Sequence, residues 1–128
     1  MQTEPYVTEE VLENIRRFLS DKPTENGGIL MSRGGKILRF IPDTSPIVSS
    51  EFEYSPNVAV LNSRMIKLIK EENLDFAGFV HSHLNNALIS KEDKEYMQEI
   101  LTALSADSIL CGVFNTATAE LRWYEVTK

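Results

Sequence analysis

Apolar positions recur at two different periods along the chain, and the changes of period locate its elements. Val11, Leu12, Ile15, Phe18 and Leu19 fall at helical spacing behind Thr8-Glu9-Glu10. This predicts a helix opened by a capping hydroxyl and by acids that suit the positive end of the helix dipole. Pro23 and the cluster Asn26-Gly27-Gly28 end it in a turn. Ile29–Ser32 and Lys36–Pro42 read as strands joined across Arg33-Gly34-Gly35, where two glycines supply the positive φ of a tight hairpin. Glu51–Tyr54 alternates, with Phe52 and Tyr54 on one side, and predicts a third short strand. Val58–Asn73 returns to the helical period through Leu61, Met65, Leu68 and Ile69, and Asn73 is its expected stop.

The segment Asp75–His83 differs from these. Phe76 to Val80 is apolar with almost no alternation, the pattern of a strand covered on both faces. Ser90 opens a third helix that runs to about Ala103, with Tyr96, Met97, Ile100, Leu101 and Leu104 expected to face inward. Ser108–Asn115 and Ala119–Val126 close the chain as a hairpin. The elements add up to an α/β or α+β sandwich, a mixed β-sheet of about six strands flanked by three helices, in one domain over residues 1–128.

Composition narrows the function. At 128 residues, 42% hydrophobic and 25% charged, the chain can bury one core, and disorder or a disulfide scaffold is excluded. A formal net charge of −6, with no basic run longer than Arg16-Arg17, argues against a nucleic-acid partner. No apolar run approaches the ~18 residues of a membrane span, so no membrane association is expected. The acidic start Met1–Pro5 lacks the pattern of a signal peptide. Cys111 has no partner for an internal bridge, which suits a reducing cytoplasm, and its apolar neighbours predict a buried small hydrophobe.

Candidate chemistry concentrates on the only two histidines. His81 and His83 are two apart on a predicted strand, so both imidazoles project from one face at its carboxyl end. Two neutral imidazoles side by side suit a borderline divalent ion, zinc above all, and a zinc site that does chemistry commonly adds a third protein ligand and one water. Asp93, in the first turn of the third helix, is the expected third ligand, with Glu92 a rival one residue away. Ser90-x-x-Asp93 also reads as a capping box with Asp in place of Glu or Gln, and capping leaves the Ser90 hydroxyl able to meet a substrate oxygen. A metal hydrolase further needs a carboxylate to move the proton of its water, and Glu25, just ahead of Asn26-Gly27-Gly28, is the upstream candidate.

Taken together, Glu25, His81-Ser82-His83, Ser90 and Asp93 resemble the JAMM (also MPN or JAB) metalloprotease motif: a distant Glu, then His-x-His, seven residues, Ser, two residues and Asp. The likeness extends over about Val7 to Val126. It implies a cytidine-deaminase-like sandwich and a catalytic zinc held with one water by His81, His83 and Asp93. It also implies that Glu25 acts as general base and acid and that Ser90 hydrogen-bonds the developing oxyanion. The implied substrate is a peptide or isopeptide bond after the Gly-Gly tail of a ubiquitin-like or sulfur-carrier protein. Two positions depart from the pattern: six residues separate His83 from Ser90 rather than seven, and Leu84 stands where many members have Pro. The first departure bears on whether Asp93 reaches the metal. No long insertion flanks the site, so selectivity for one ubiquitin linkage is not expected. The competing readings are an inactive binding scaffold of the same fold and a metal hydrolase acting on another substrate. Phe40, Tyr54 and Trp123 are candidates to line a peptide groove, but aromatic residues in strands are more often core, and none is counted among the site residues. Oligomeric state is not specified by these residues.

Overall fold

The computed structural model describes residues 1–104 and 106–128. Its elements are β1 (Gln2–Thr3), β2 (Tyr6–Val7), α1 (Glu9–Leu19), β3 (Gly27–Arg33), β4 (Lys36–Pro42), β5 (Val48–Ser49), β6 (Tyr54–Ser55), α2 (Val58–Glu72), β7 (Asp75–His83), α3 (Lys91–Leu104), β8 (Ser108–Asn115) and β9 (Leu121–Thr127). Seven strands form one mixed sheet in the order β1-β9-β8-β7-β3-β4-β2, while β5 and β6 pair separately. The pairs β7–β8 and β2–β4 are parallel, and the other neighbours in the sheet run antiparallel. The fold is thus α+β, with β7 at the middle of the sheet.

Helices cover both faces. Val11, Ile15 and Leu19 of α1 pack with Leu30, Ile37, Val80 and Phe114. On the opposite face, Leu61 of α2 meets Ile29, Met31 and Ile41, and Met97 and Leu101 of α3 meet Cys111, Val113, Tyr124 and Val126. Consecutive residues such as Ile29 and Leu30 therefore serve different cores, which is why the central strands show no polar alternation. A fully buried side chain such as Leu30 contributes about 1.5–3 kcal/mol.

Local chemistry sets the boundaries. The Thr8 hydroxyl accepts from the Val11 N–H at the start of α1, and Asn57 does the same for Val60 at the start of α2. Asn73 ends α2 in the left-handed conformation, with φ 54° and ψ 45°. Gly34 and Gly35 turn the β3–β4 hairpin with φ of 59° and 79°, the positive pair that a type I′ turn requires.

Several expectations are corrected. Glu51–Tyr54 is not a strand of the sheet. The Ser50 hydroxyl accepts from the Phe52 and Glu53 N–H groups, so these residues form the turn between β5 and β6, with Phe52 exposed at the tip. The sheet has seven strands rather than about six because two-residue edge strands, β1 and β2, flank Pro5. Gly27 and Gly28 belong to β3 rather than to a turn. A Cβ on Gly27 would lie 2.4 Å from the Val80 carbonyl oxygen, and one on Gly28 would lie 2.1 Å from that of Ile41. Glycine here permits close strand approach. β9 starts at Leu121 rather than Ala119, because Asn115 holds the preceding turn through its carbonyl and side-chain oxygens. Ile69 and Leu104 face solvent rather than the core.

Candidate metal centre

β7 delivers the histidines. Phe79, His81 and His83 fall on the α2/α3 side of the sheet, and Val80 and Ser82 fall on the α1 side. The strand end is fixed by β3 on one edge, where Gly27 stands opposite His81, and by β8 on the other, where Asn115 stands opposite His83. The two imidazole centroids are 4.8 Å apart, with their rings 73° from coplanar.

The connection to α3 then turns back over the strand end. Thr116 N–H donates to the His83 carbonyl at 3.0 Å, and the Tyr124 hydroxyl donates to the carbonyl of buried Ala87 at 2.8 Å. At the start of α3, Ser90 Oγ accepts from Asp93 N–H at 3.0 Å, while Asp93 Oδ2 accepts from Ser90 N–H at 3.1 Å. This reciprocal capping box, closed by Asp, fixes the carboxylate. Asp93 Oδ2 lies 2.9 Å from His81 Nε2 and 3.4 Å from His83 Nε2, and the two Nε2 atoms are 3.1 Å apart. The shortened connection therefore brings Asp93 to the histidines. Glu92 is exposed on the groove wall and outside the cluster.

His81, His83 and Asp93 could hold a metal ion. Donors placed 2.0–2.1 Å from a tetrahedral ion stand roughly 3.3 Å from one another, and the observed separations of 2.9–3.4 Å approach that spacing. Two imidazole nitrogens with one carboxylate oxygen match the donors that borderline divalent ions select. The residues fit such an ion.

Electrostatics agree. Burial pushes the Asp93 carboxyl up, yet the hydrogen bond with His81 and the proximity of His83 outweigh it and hold the group well below the usual carboxylate range. For His83, burial disfavours the cation, but the Asp93 carboxylate beside Nε2 and the Asn86 amide oxygen beside Nδ1 favour the cation more strongly and shift the imidazole pKa up. Burial also raises the Glu25 carboxyl, with His83 and His81 opposing in part.

Glu25 precedes β3 and is tied by its main chain: its N–H donates to the Ser50 carbonyl at 2.7 Å, and its carbonyl accepts from Ser49 Oγ at 2.6 Å. It shares an open groove of about 740 Å³ with His81, His83, Ser90 and Asp93. All five residues singled out from the sequence thus line one concavity.

Other members of the site were not assigned to it from the sequence. Tyr54 lines the groove and donates to Asp43 Oδ2 at 2.8 Å. Asp43, fully buried, also accepts from the Asn57 N–H at 2.9 Å, so it anchors the β6 wall. Tyr54 is therefore a groove residue, whereas Phe40 and Trp123 pack against the α1 core. Asn86 contacts His83, and Ser82 is bonded to Asn26. Only Ser82 was open to inference, because a residue between two same-facing strand positions must face the other side. Cys111 is fully buried, and burial pushes its thiol up. Among the described residues no helix is long and apolar enough to cross a membrane.

No known family profile matches the chain, and no curated protein matches it. Solved structures do. A protein of Desulfitobacterium hafniense, known from its solution structure, is 19% identical with a TM-score of 0.58, over 94% of this chain and 81% of that one. A crystallised JAB1/MPN domain protein from Archaeoglobus fulgidus is 15% identical with a TM-score of 0.57, over 93% of this chain and 87% of that one. The chain has an MPN-like fold.

Proposed function

We propose that the protein is a JAMM-type zinc metallopeptidase or isopeptidase that cleaves after the Gly-Gly tail of a ubiquitin-like or sulfur-carrier protein. The observation that carries this reading is the convergence of His81 Nε2, His83 Nε2 and Asp93 Oδ2 within 3.4 Å in a groove that also holds Glu25 and Ser90. Zinc in such a set supplies Lewis acidity and a water acidified toward neutrality.

The chain's own groups do the rest. Glu25, with its carboxyl raised by burial, takes the proton of the attacking water and hands it to the leaving amine. Ser90 Oγ already accepts from the Asp93 N–H, so its own hydrogen is free to donate to the scissile carbonyl oxygen as negative charge develops there. The capping bond fixes the position of that donor before substrate arrives. Tyr54, Phe79 and Met97 give the groove an apolar lining against which an extended tail can lie.

The test is incubation of zinc-loaded protein with fusions joined through a ubiquitin-like Gly-Gly tail, followed by mass analysis. Products ending in Gly-Gly are expected with the wild type, and intact fusion is expected with Glu25→Gln. Intact fusions throughout, from wild type shown to carry zinc, would remove this activity and favour the binding scaffold.

A further inference from the structure

Asn86 lies half-buried in the connection between His83 and Ser90. Its Oδ1 accepts from the Leu88 N–H at 3.0 Å and stands 3.1 Å from His83 Nδ1, while its Nδ2 donates to Asn85 Oδ1 at 3.1 Å. A backbone N–H can only donate, so the bond from Leu88 requires the oxygen of the Asn86 amide on that side. The same oxygen faces His83, and an amide oxygen can only accept. His83 Nδ1 must therefore carry hydrogen. A neutral imidazole has a single N–H, which leaves Nε2 as a lone pair directed at the cluster with His81 and Asp93.

We infer that Asn86 is a positioning residue that fixes His83 as its Nδ1–H tautomer, orients the ring, and so sets the affinity of the site for its ion. The inference rests on the metal centre proposed above. One oxygen performs two tasks. Its bond to Leu88 makes a tight turn that closes a short connection, and its bond to His83 stops the ring from turning or from moving its hydrogen to Nε2. The opposite tautomer would set a nitrogen lone pair against the amide oxygen and place a hydrogen where the ion must bind.

Nitrogen-15 NMR of the metal-free protein, at a pH where both rings are neutral, reads the tautomer directly. His83 is expected to carry its hydrogen on Nδ1 in the wild type and in Asn86→Asp, whose carboxylate still accepts, and to shift toward Nε2–H in Asn86→Leu. Zinc affinity, measured by competition with a chromophoric chelator, should fall about 10–100-fold in Asn86→Leu and remain near wild type in Asn86→Asp. A wild-type His83 protonated at Nε2, or an Asn86→Leu variant with unchanged zinc affinity, overturns the inference. A wild type that binds no zinc would instead remove the metal centre, and the tautomer measurement would still decide what Asn86 does. That measurement needs no variant, so the inference stays testable if Asn86→Leu fails to fold.

Discussion

Ser82 and Asn26 are clamped to each other across β7 and the start of β3. Asn26 N–H donates to Ser82 Oγ at 3.0 Å, and Ser82 N–H donates to the Asn26 carbonyl at 2.8 Å. Ser82 is the residue between the two histidines, and Asn26 follows Glu25 directly. The clamp therefore sets the spacing between the donor cluster and the acid through the antiparallel register that places Gly27 opposite His81. Both residues are buried, so the clamp is shielded from water.

Ser82→Ala should leave the buried Asn26 N–H without its acceptor and destabilise the fold by about 1–3 kcal/mol. Because Ser82 faces away from the groove, zinc affinity should hold while turnover falls as Glu25 loosens. Denaturant unfolding, chelator competition and initial rates check the three parts. An equal loss of zinc affinity and rate would show that the clamp holds the histidines rather than the acid.

Glu25→Gln removes the proton carrier and preserves the size of the side chain. The rate should drop about 10²–10⁴-fold with zinc content unchanged. Single-turnover rates beside metal analysis provide the check, and an undiminished rate would assign proton transfer to another group.

The same residue gives a signed pH effect. Its carboxyl is raised in the folded chain, chiefly by burial, so the native state holds a proton to higher pH than the unfolded chain does. The resulting stabilisation is present below the unfolded pKa and is lost as pH rises through the folded one. Gln never incurs that loss. Metal-free Glu25→Gln should therefore melt higher than metal-free wild type at neutral pH, and the gap should close on acidification below the ordinary glutamate range. A gap independent of pH would mean that the carboxyl is not perturbed.

Much of the site was legible because its residues obey short-range rules. His81 and His83 share a face through strand alternation, and Ser90 and Asp93 share a helix start through capping geometry. The first two helices were legible because periodicity and caps agreed at Thr8 and Asn73. Alternation failed at Glu51–Tyr54, where the Ser50 hydroxyl competes for the backbone and makes a turn. β1 and β2 are too short for any period to show. Asn86 and Asp43 carried no signal in the sequence, since their partners are chosen by the path of the loop and not by neighbours in sequence. That path also resolves the missing residue before Ser90: the turn from Asn86 to Leu88 and the anchor from Tyr124 to Ala87 shorten the route, so Asp93 still arrives.

The central claim is that two imidazoles and one carboxylate form a single cation site. Elemental analysis of purified wild type and Asp93→Ala, each equilibrated with a slight excess of zinc and then gel-filtered, tests it most directly. The account predicts close to one zinc per wild-type chain and loss of that zinc from the variant. A wild type that carries none, or an Asp93→Ala that keeps as much, would contradict it.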